Sequence, residues 1–317
     1  MNSAPLIVFL DAETLPVPLK PIALEHRWQS YPQTAADQVV ERLQGAQVVI
    51  TNKVPITREI IAALPDLKLI AVAATGYNII DIAAAREYGV GVCNIRDYAI
   101  HGVAEHTLML MLALRRQLLA YRSRLQAGEW QQAPGFCLFA EPLQDLAGSR
   151  MALIGSGALG QASAKLAQAF GMQTFFVERK GETSVRAGYL SWDEAMRTAD
   201  VISLHCPLNE QTRNLIGAVE IEQMKSNTLL INTARGGLID EAALLAALQA
   251  GRIAGAGVDV LVTEPPRDGN PLLAANLPNL IVTPHVAWAS VQTMQTLADQ
   301  LIDNISGFLR GQPQNLL

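Results

Sequence analysis

Arg235, Glu264 and His285 are the side chains whose settings invite chemistry. Arg235 lies in Asn232-Thr233-Ala234-Arg235-Gly236-Gly237, after the apolar run Leu229–Ile231. Glu264 lies in Asp259-Val260-Leu261-Val262-Thr263-Glu264-Pro265, after Gly255–Val258, and His285 in Thr283-Pro284-His285, after Leu280–Val282. Ligands of open parallel sheets bind outside the carboxyl ends of the strands, so all three are expected to face one cleft. Arg offers a planar fork to a carboxylate and a neighbouring carbonyl oxygen. A His can give the proton that such an oxygen takes as hydride arrives at its carbon, and a Glu behind it favours the charged imidazole. Singly, the three read as a surface ion-pair partner, a turn acid and a cap. Together they point to reduction of a 2-keto acid.

Hydride needs a carrier, and Met151–Arg179 offers a place for one. Met151–Ile154 has strand length, and Gly155-Ser156-Gly157-Ala158-Leu159-Gly160 gives G-x-G-x-x-G. A helical pattern follows from Gln161 to Phe170, then a second strand, Thr174–Val177, ending on Glu178. Gly155 permits the tight turn, Gly157 lets backbone approach a pyrophosphate, and Gly160 lets the helix pack closely. The free N–H groups and dipole of the helix start favour the anion. Leu159, Ala162, Leu166, Ala167 and Phe170 are expected to form the buried face of that helix. Glu178 can accept hydrogen bonds from a ribose 2′-OH and repels a 2′-phosphate, whereas Arg179 and Lys180 attract one. NAD(H) is therefore the expected cofactor, with NADP(H) left open.

The remaining chain must position these residues. Its 317 residues suffice for two domains; half are hydrophobic, 17% are charged, and the net charge of −5 disfavours nucleic acid and anionic membranes as partners. The longest apolar stretch, Thr107–Leu114, stops at Arg115-Arg116, too short to span a bilayer. The start of the chain shows no secretory pattern, and Cys93, Cys137 and Cys206 lack metal-ligand spacing, so a cytoplasmic protein with reduced thiols and no metal is expected. Leu6–Leu10, Val48–Ile50, Leu69–Ala73 and Val90–Asn94 are strand-like and alternate with helical Ala35–Leu43 and Arg58–Leu64. Further strands are expected at Val201–Leu204 and Thr228–Ile231. This is an α/β chain of two doubly wound parallel sheets, the first without a glycine fingerprint. His106–Gln126 is the longest helical pattern and is expected to carry the chain between the units. A helix from about Gln292 closes the chain, and if it returns to the first unit both chain ends share a domain. His26, His101, His106 and His205 are expected to be structural.

These pieces resemble the D-isomer-specific 2-hydroxyacid dehydrogenase family over essentially the whole chain. The matching motifs are Gly155–Gly160, His205-Cys206-Pro207-Leu208, Asn232–Gly237, Gly257-Val258-Asp259-Val260 and Thr283-Pro284-His285. Thr51-Asn52-Lys53-Val54-Pro55 and Thr283–Ser290 resemble the glycerate dehydrogenase/hydroxypyruvate reductase branch. The resemblance implies two Rossmann-like domains: a discontinuous, flavodoxin-like substrate domain of residues 1–98 plus 288–317, and a dinucleotide-binding domain of residues 99–287. It implies Arg235 as substrate anchor, His285 as acid/base and Glu264 as its partner. Beyond the glycines, the cofactor would be touched by Thr75, Thr107, Ala158, Leu159, Glu178, Arg179, Cys206, Pro207, Thr233, Ala234, Arg235, Asp259 and His285, with Asp259 facing the nicotinamide amide. Lys53, Thr75 and Gly76 would join Arg235 and His285 on the substrate, the Ala74-Thr75-Gly76 turn offering N–H groups to its carboxylate. The family is usually dimeric, and Trp130–Leu146 would belong to an arm around the partner. The chain departs from the family in having Ala158-Leu159 where Arg-Ile is common, and Glu178 where Asp is commoner. The expected reaction is reduction of hydroxypyruvate or glyoxylate to the D-2-hydroxy acid. The rivals are a relative acting on phosphoglycerate, formate or phosphite, and a dinucleotide-sensing, corepressor-like binding protein. Fold does not decide among them.

Overall fold

The structure, a computed structural model, describes residues 4–139 and 142–317. Ala140 and Glu141, inside the expected partner arm, lie outside the described residues, as do the first three residues. The chain divides into two compact units, residues 1–98 with 289–317, and residues 99–288. Trp288, expected to begin the returning segment, stays with the second unit, its indole N–H donating to the His285 carbonyl at 3.1 Å.

The first unit is a five-stranded sheet of β1 (Leu6–Phe9), β2 (Arg27–Ser30), β3 (Val48–Thr51), β4 (Leu69–Val72) and β5 (Gly91–Cys93). Its order is β2-β1-β3-β4-β5, with every pair parallel. The crossover elements include α1 (Val39–Arg42), α2 (Arg58–Ala62) and α3 (Ile82–Glu87). All four residues of β3 and of β4 are buried, as expected of a parallel sheet covered on both faces. The C-terminal helix, Val291–Leu309, packs against β4 and buries Leu297, Leu301 and Ile305.

The second unit holds seven strands: β6 (Arg150–Ile154), β7 (Gln173–Val177), β8 (Tyr189–Leu190), β9 (Val201–Leu204), β10 (Leu229–Asn232), β11 (Gly255–Val258) and β12 (Leu280–Val282). The order is β12-β11-β10-β9-β6-β7-β8, again all parallel. Its helices are α4 (Ile100–Arg115), α5 (Leu118–Gln126), α6 (Ala158–Ala169), α7 (Trp192–Thr198), α8 (Ala218–Gln223), α9 (Glu241–Gln249) and α10 (Pro271–Ala274). Successive strand residues point to opposite faces. Met151, Leu153, Val201, Leu229 and Ile231 therefore pack with Leu110, Met111 and Leu114 of α4, while Ala152, Ile154, Ile202, Leu204 and Leu230 pack with Leu244 and Leu248 of α9.

Three expectations are corrected here. His106–Gln126 is two helices, parted at Gln117, whose φ of 52° is left-handed. Just before the break, Arg115 is buried, and its guanidinium donates to the carbonyls of Asp200 (3.0 Å) and Asn227 (3.3 Å) and to the Gln144 side chain. The Asp200 carboxylate in turn accepts the Arg150 N–H (2.8 Å) and the Lys225 ammonium (2.5 Å), so the amino ends of β6, β9 and β10 are tied together. In α6 the buried face is Gly160, Ser163, Ala164 and Ala167, with Leu159, Ala162 and Leu166 half-buried and Phe170 45% exposed. Small side chains let α6 close on its neighbours, which larger ones on that face would prevent. The expected helix Ala35–Leu43 shrinks to a 3-10 turn, Ala36–Gln38, followed by α1.

Candidate active site

In the second unit the strand order reverses between β6 and β9, and the glycine turn sits at that point. Gly155 has a φ of 114°, and a Cβ there would stand 2.6 Å from the His205 carbonyl carbon. The end of β9 is drawn in by a hydrogen bond from the His205 N–H to Ile154 O at 2.8 Å. A Cβ on Gly160 would meet Gly155 O at 2.1 Å, whereas one on Gly157 would meet nothing within 4 Å. Gly157 is the N-cap of the twelve-residue α6 and supplies no side-chain cap. The turn is thus closed where protein must pack and open at the helix N-terminus, which fits a dinucleotide pyrophosphate. Ala158 and Leu159 occupy the first turn of α6. Cys206 and Pro207 follow β9, and burial pushes the Cys206 thiol up to about 11. Burial likewise holds the His205 ring down at about 4, its Nε2 lying 2.9 Å from Ser203 Oγ.

Glu178 ends β7 but is not an open acid. Oε1 accepts the Arg186 backbone N–H and Nε, and Oε2 accepts Nη2, each at 2.8 Å. The Arg186 guanidinium beside it holds its carboxyl below the usual range. Lys180 turns to Glu220 at 2.7 Å, and Arg179 is exposed.

The three candidate chemical groups emerge at the carboxyl ends of three adjacent strands. After β10, the Asn232 side chain folds the loop by accepting the Ala234 N–H (3.0 Å) and donating to Arg235 O (2.9 Å). Gly236 is needed because a Cβ would fall 1.8 Å from Leu261 O, in the loop after β11. Arg235 is exposed, its Nη1 donating to Ala234 O at 2.7 Å. Thr233 is buried behind it, its hydroxyl 3.0 Å from that of Thr107 on α4.

After β12, His285 is held with a φ of 55°. Its N–H donates to Asp259 O at 2.8 Å, and the buried Asp259 carboxylate accepts the N–H groups of Val286 (3.0 Å) and Ala287 (2.9 Å) and the Thr283 hydroxyl (2.5 Å). Both oxygens of Asp259 thus brace the histidine loop. Since the Thr283 proton goes to that carboxylate, His106 Nε2, 3.0 Å from Thr283 Oγ1, is the donor there. Desolvation by burial lowers the His106 pKa. Half-buried His285 and exposed Glu264 meet: Nδ1–H donates to Glu264 Oε2 at 2.6 Å, and Glu264 Oε1 accepts the Leu261 N–H at 2.8 Å. The bond fixes the tautomer and leaves Nε2 as the nitrogen able to exchange a proton with a ligand.

The first unit places Lys53 after β3 and Thr75-Gly76 after β4. The Lys53 N–H donates to Asp11 at 2.6 Å. The Thr75 hydroxyl donates to Ile95 O (2.7 Å) and Thr75 O accepts from the Asn94 amide (2.8 Å). The Thr75 and Gly76 N–H groups donate to no described residue, and are the kind of donors a carboxylate takes. Arg186, Asn232, His106 and Asp11 were not singled out from the sequence as parts of these sites. Only Asn232 carried a signal, as the first residue of a recognised motif.

Residues 108–287 match the family model described as "D-isomer specific 2-hydroxyacid dehydrogenase, NAD binding domain". The chain belongs to this family. It is 48% identical to a glycerate dehydrogenase of Methylorubrum extorquens over 98% of both chains. It is 36% identical to a hydroxypyruvate reductase of Blautia hydrogenotrophica over 90% of this chain and 88% of that one. Its fold matches an NADPH-dependent glyoxylate/hydroxypyruvate reductase of Sinorhizobium meliloti, solved with citrate, at a TM-score of 0.82 and 27% identity, covering 99% and 97% of the two chains. As a D-2-hydroxyacid dehydrogenase, the protein is an NAD(P)-dependent oxidoreductase of small 2-keto and 2-hydroxy acids. Among the described residues of this dehydrogenase, no group of three His, Cys, Asp or Glu could hold a metal, and no helix is long and apolar enough to cross a membrane.

Proposed function

We propose that the protein reduces hydroxypyruvate or glyoxylate to the D-2-hydroxy acid, with NAD(H) or NADP(H) as cofactor. The observation that carries this reading is the 2.6 Å contact between His285 and Glu264, one strand across from the loop that presents Arg235. A bound reduced nicotinamide supplies hydride. Gly155, Gly157 and Gly160, with Ala158 and Leu159, cradle the pyrophosphate, and Cys206, Pro207, Thr233 and Ala234 border the cofactor. Arg235 binds the substrate carboxylate and carbonyl oxygen through its planar fork, orienting C2. His285 gives its Nε2 proton to that oxygen, and Glu264 stabilises the imidazolium that must be present beforehand. In the first unit, Lys53 and the Thr75-Gly76 turn suit a small carboxylate by themselves. The names of the similar proteins, a glycerate dehydrogenase and a hydroxypyruvate reductase, support this substrate class.

A homodimer is supported by the apolar side chains around α5: Phe136 and Phe139 are 91% and 90% exposed, and Leu118, Leu125 and Trp130 are also exposed. The free thiols of Cys93, Cys137 and Cys206 support a cytoplasmic setting.

The test is oxidation of NADH and NADPH against hydroxypyruvate, glyoxylate, pyruvate and phosphohydroxypyruvate. Fast turnover of either of the first two is expected. Tight NADH binding without turnover of any would instead favour a dinucleotide sensor.

A further inference from the structure

We propose that Arg186 selects the cofactor: it neutralises Glu178 and offers its outer edge to a ribose 2′-phosphate, so that the protein takes NADPH as well as NADH. The proposal rests on reading the Gly155–Gly160 turn as a dinucleotide site. In a doubly wound sheet the adenosine ribose lies at the end of the strand after the glycine turn. Here that strand is β7, next to β6, and its last neighbour is Glu178. A bare carboxylate at this place takes the ribose diol and repels a 2′-phosphate. This one already receives three N–H groups from Arg186, all at 2.8 Å.

The guanidinium has room for a second partner. Nε and Nη2 face the carboxylate, while Nη1 donates to no described residue, and a guanidinium carries five N–H groups in all. Its face stacks on the Tyr189 ring, with Cζ 3.9 Å from the centroid, and the side chain is 62% exposed. The fork is therefore held in place in the loop just before β8, on an exposed side chain. Local charge does not oppose this. Glu178 and Arg186 cancel, Lys180 is taken by Glu220, and the exposed Arg179 beside the pair is offset by Glu182, which also acts on Glu178 and Arg186. The ribose position is close to neutral rather than anionic. Glu178 Oε2, which accepts a hydrogen bond from Arg186 Nη2, keeps a second acceptor position for the unphosphorylated ribose.

Calorimetric binding of AMP and adenosine 2′,5′-bisphosphate separates the two functions without any turnover. The wild-type protein is expected to bind the bisphosphate at least as well as AMP. Arg186→Gln should weaken the bisphosphate about 10- to 100-fold, the scale of charged hydrogen bonds, while AMP holds or tightens. Glu178→Gln should weaken AMP and spare the bisphosphate, and NADH and NADPH, followed by fluorescence, should repeat the pattern. A bisphosphate-to-AMP ratio unmoved by Arg186→Gln overturns the proposal. So does a wild-type protein that binds AMP but excludes the bisphosphate, which leaves the dehydrogenase reading intact. Binding of neither AMP nor NADH overturns the dinucleotide reading and this one with it.

Discussion

The two sheets turn their chains at corresponding places and fill those places differently. In the first unit the order reverses between β1 and β3, and Asp11, two residues beyond β1, sends its buried carboxylate there to accept the N–H groups of Asn52 and Lys53 at 2.6–3.1 Å. In the second the order reverses between β6 and β9, and the chain supplies glycines and an uncapped helix start. One switch point carries its own anion and the other is built to receive one. The same topology thus yields an internal brace in one unit and a ligand site in the other. The deciding residues are Asp11 against Gly155-Ser156-Gly157.

The largest test of this division is His285→Ala. It should lower kcat by roughly 10²–10⁴, the range of general-acid catalysis, while NADH affinity stays near wild type. Near-full turnover would remove His285 from the reaction. Gly155→Ala comes next, because the new Cβ lies 2.6 Å from His205 and the residue must keep a φ of 114°. A loss on the order of 3 kcal/mol in chemical unfolding and weakened NADH binding are expected. If NADH binds normally, the switch point is not the cofactor site. Asp11→Ala should cost about 1–3 kcal/mol by stranding the buried Asn52 N–H and the partly buried Lys53 N–H, yet leave the NADH dissociation constant alone. A parallel loss of NADH affinity would erase the contrast between the units.

The smallest effect is a difference of sign in acid. Desolvation raises the Asp11 pKa above its ordinary value of 3.8 despite the backbone donors. Its contribution is complete below that value and is lost as pH rises through the folded-state pKa. Glu178, lowered by Arg186 from 4.5, contributes above that value and loses its contribution as pH falls through the folded-state pKa. The melting-temperature gap between wild type and Asp11→Asn should narrow as pH rises through the acid range, and the gap to Glu178→Gln should widen. Parallel trends would contradict the assignment.

Much of this was legible because it is local. Buried parallel strands are short apolar runs, and the glycine turn, Asn232–Gly237 and Thr283-Pro284-His285 announce themselves by spacing. What escaped depends on partners far along the chain or on weak pattern. The residues of β2, Arg-Trp-Gln-Ser, are all exposed and carry no apolar alternation, and β8 has only two residues. The break at Gln117 interrupts a sequence that is helical on both sides. Arg186 stands eight residues beyond Glu178, across an irregular loop, so no periodicity joins them. Asp259 could be found from its motif, but not its grip on residues 283–287, which form the loop after the next strand.

Arg115 has a consequence for how such a protein can change over generations. Together with Asp200 it fastens the amino ends of β6, β9 and β10, whereas the glycine turn, Arg235, Glu264 and His285 all leave from the opposite ends. Foundation and workshop are at opposite rims of one sheet. Replacements among the loops at the working rim can retune what is bound while the fastening at the other rim keeps the strands in register, so new specificities can be explored without rebuilding the fold.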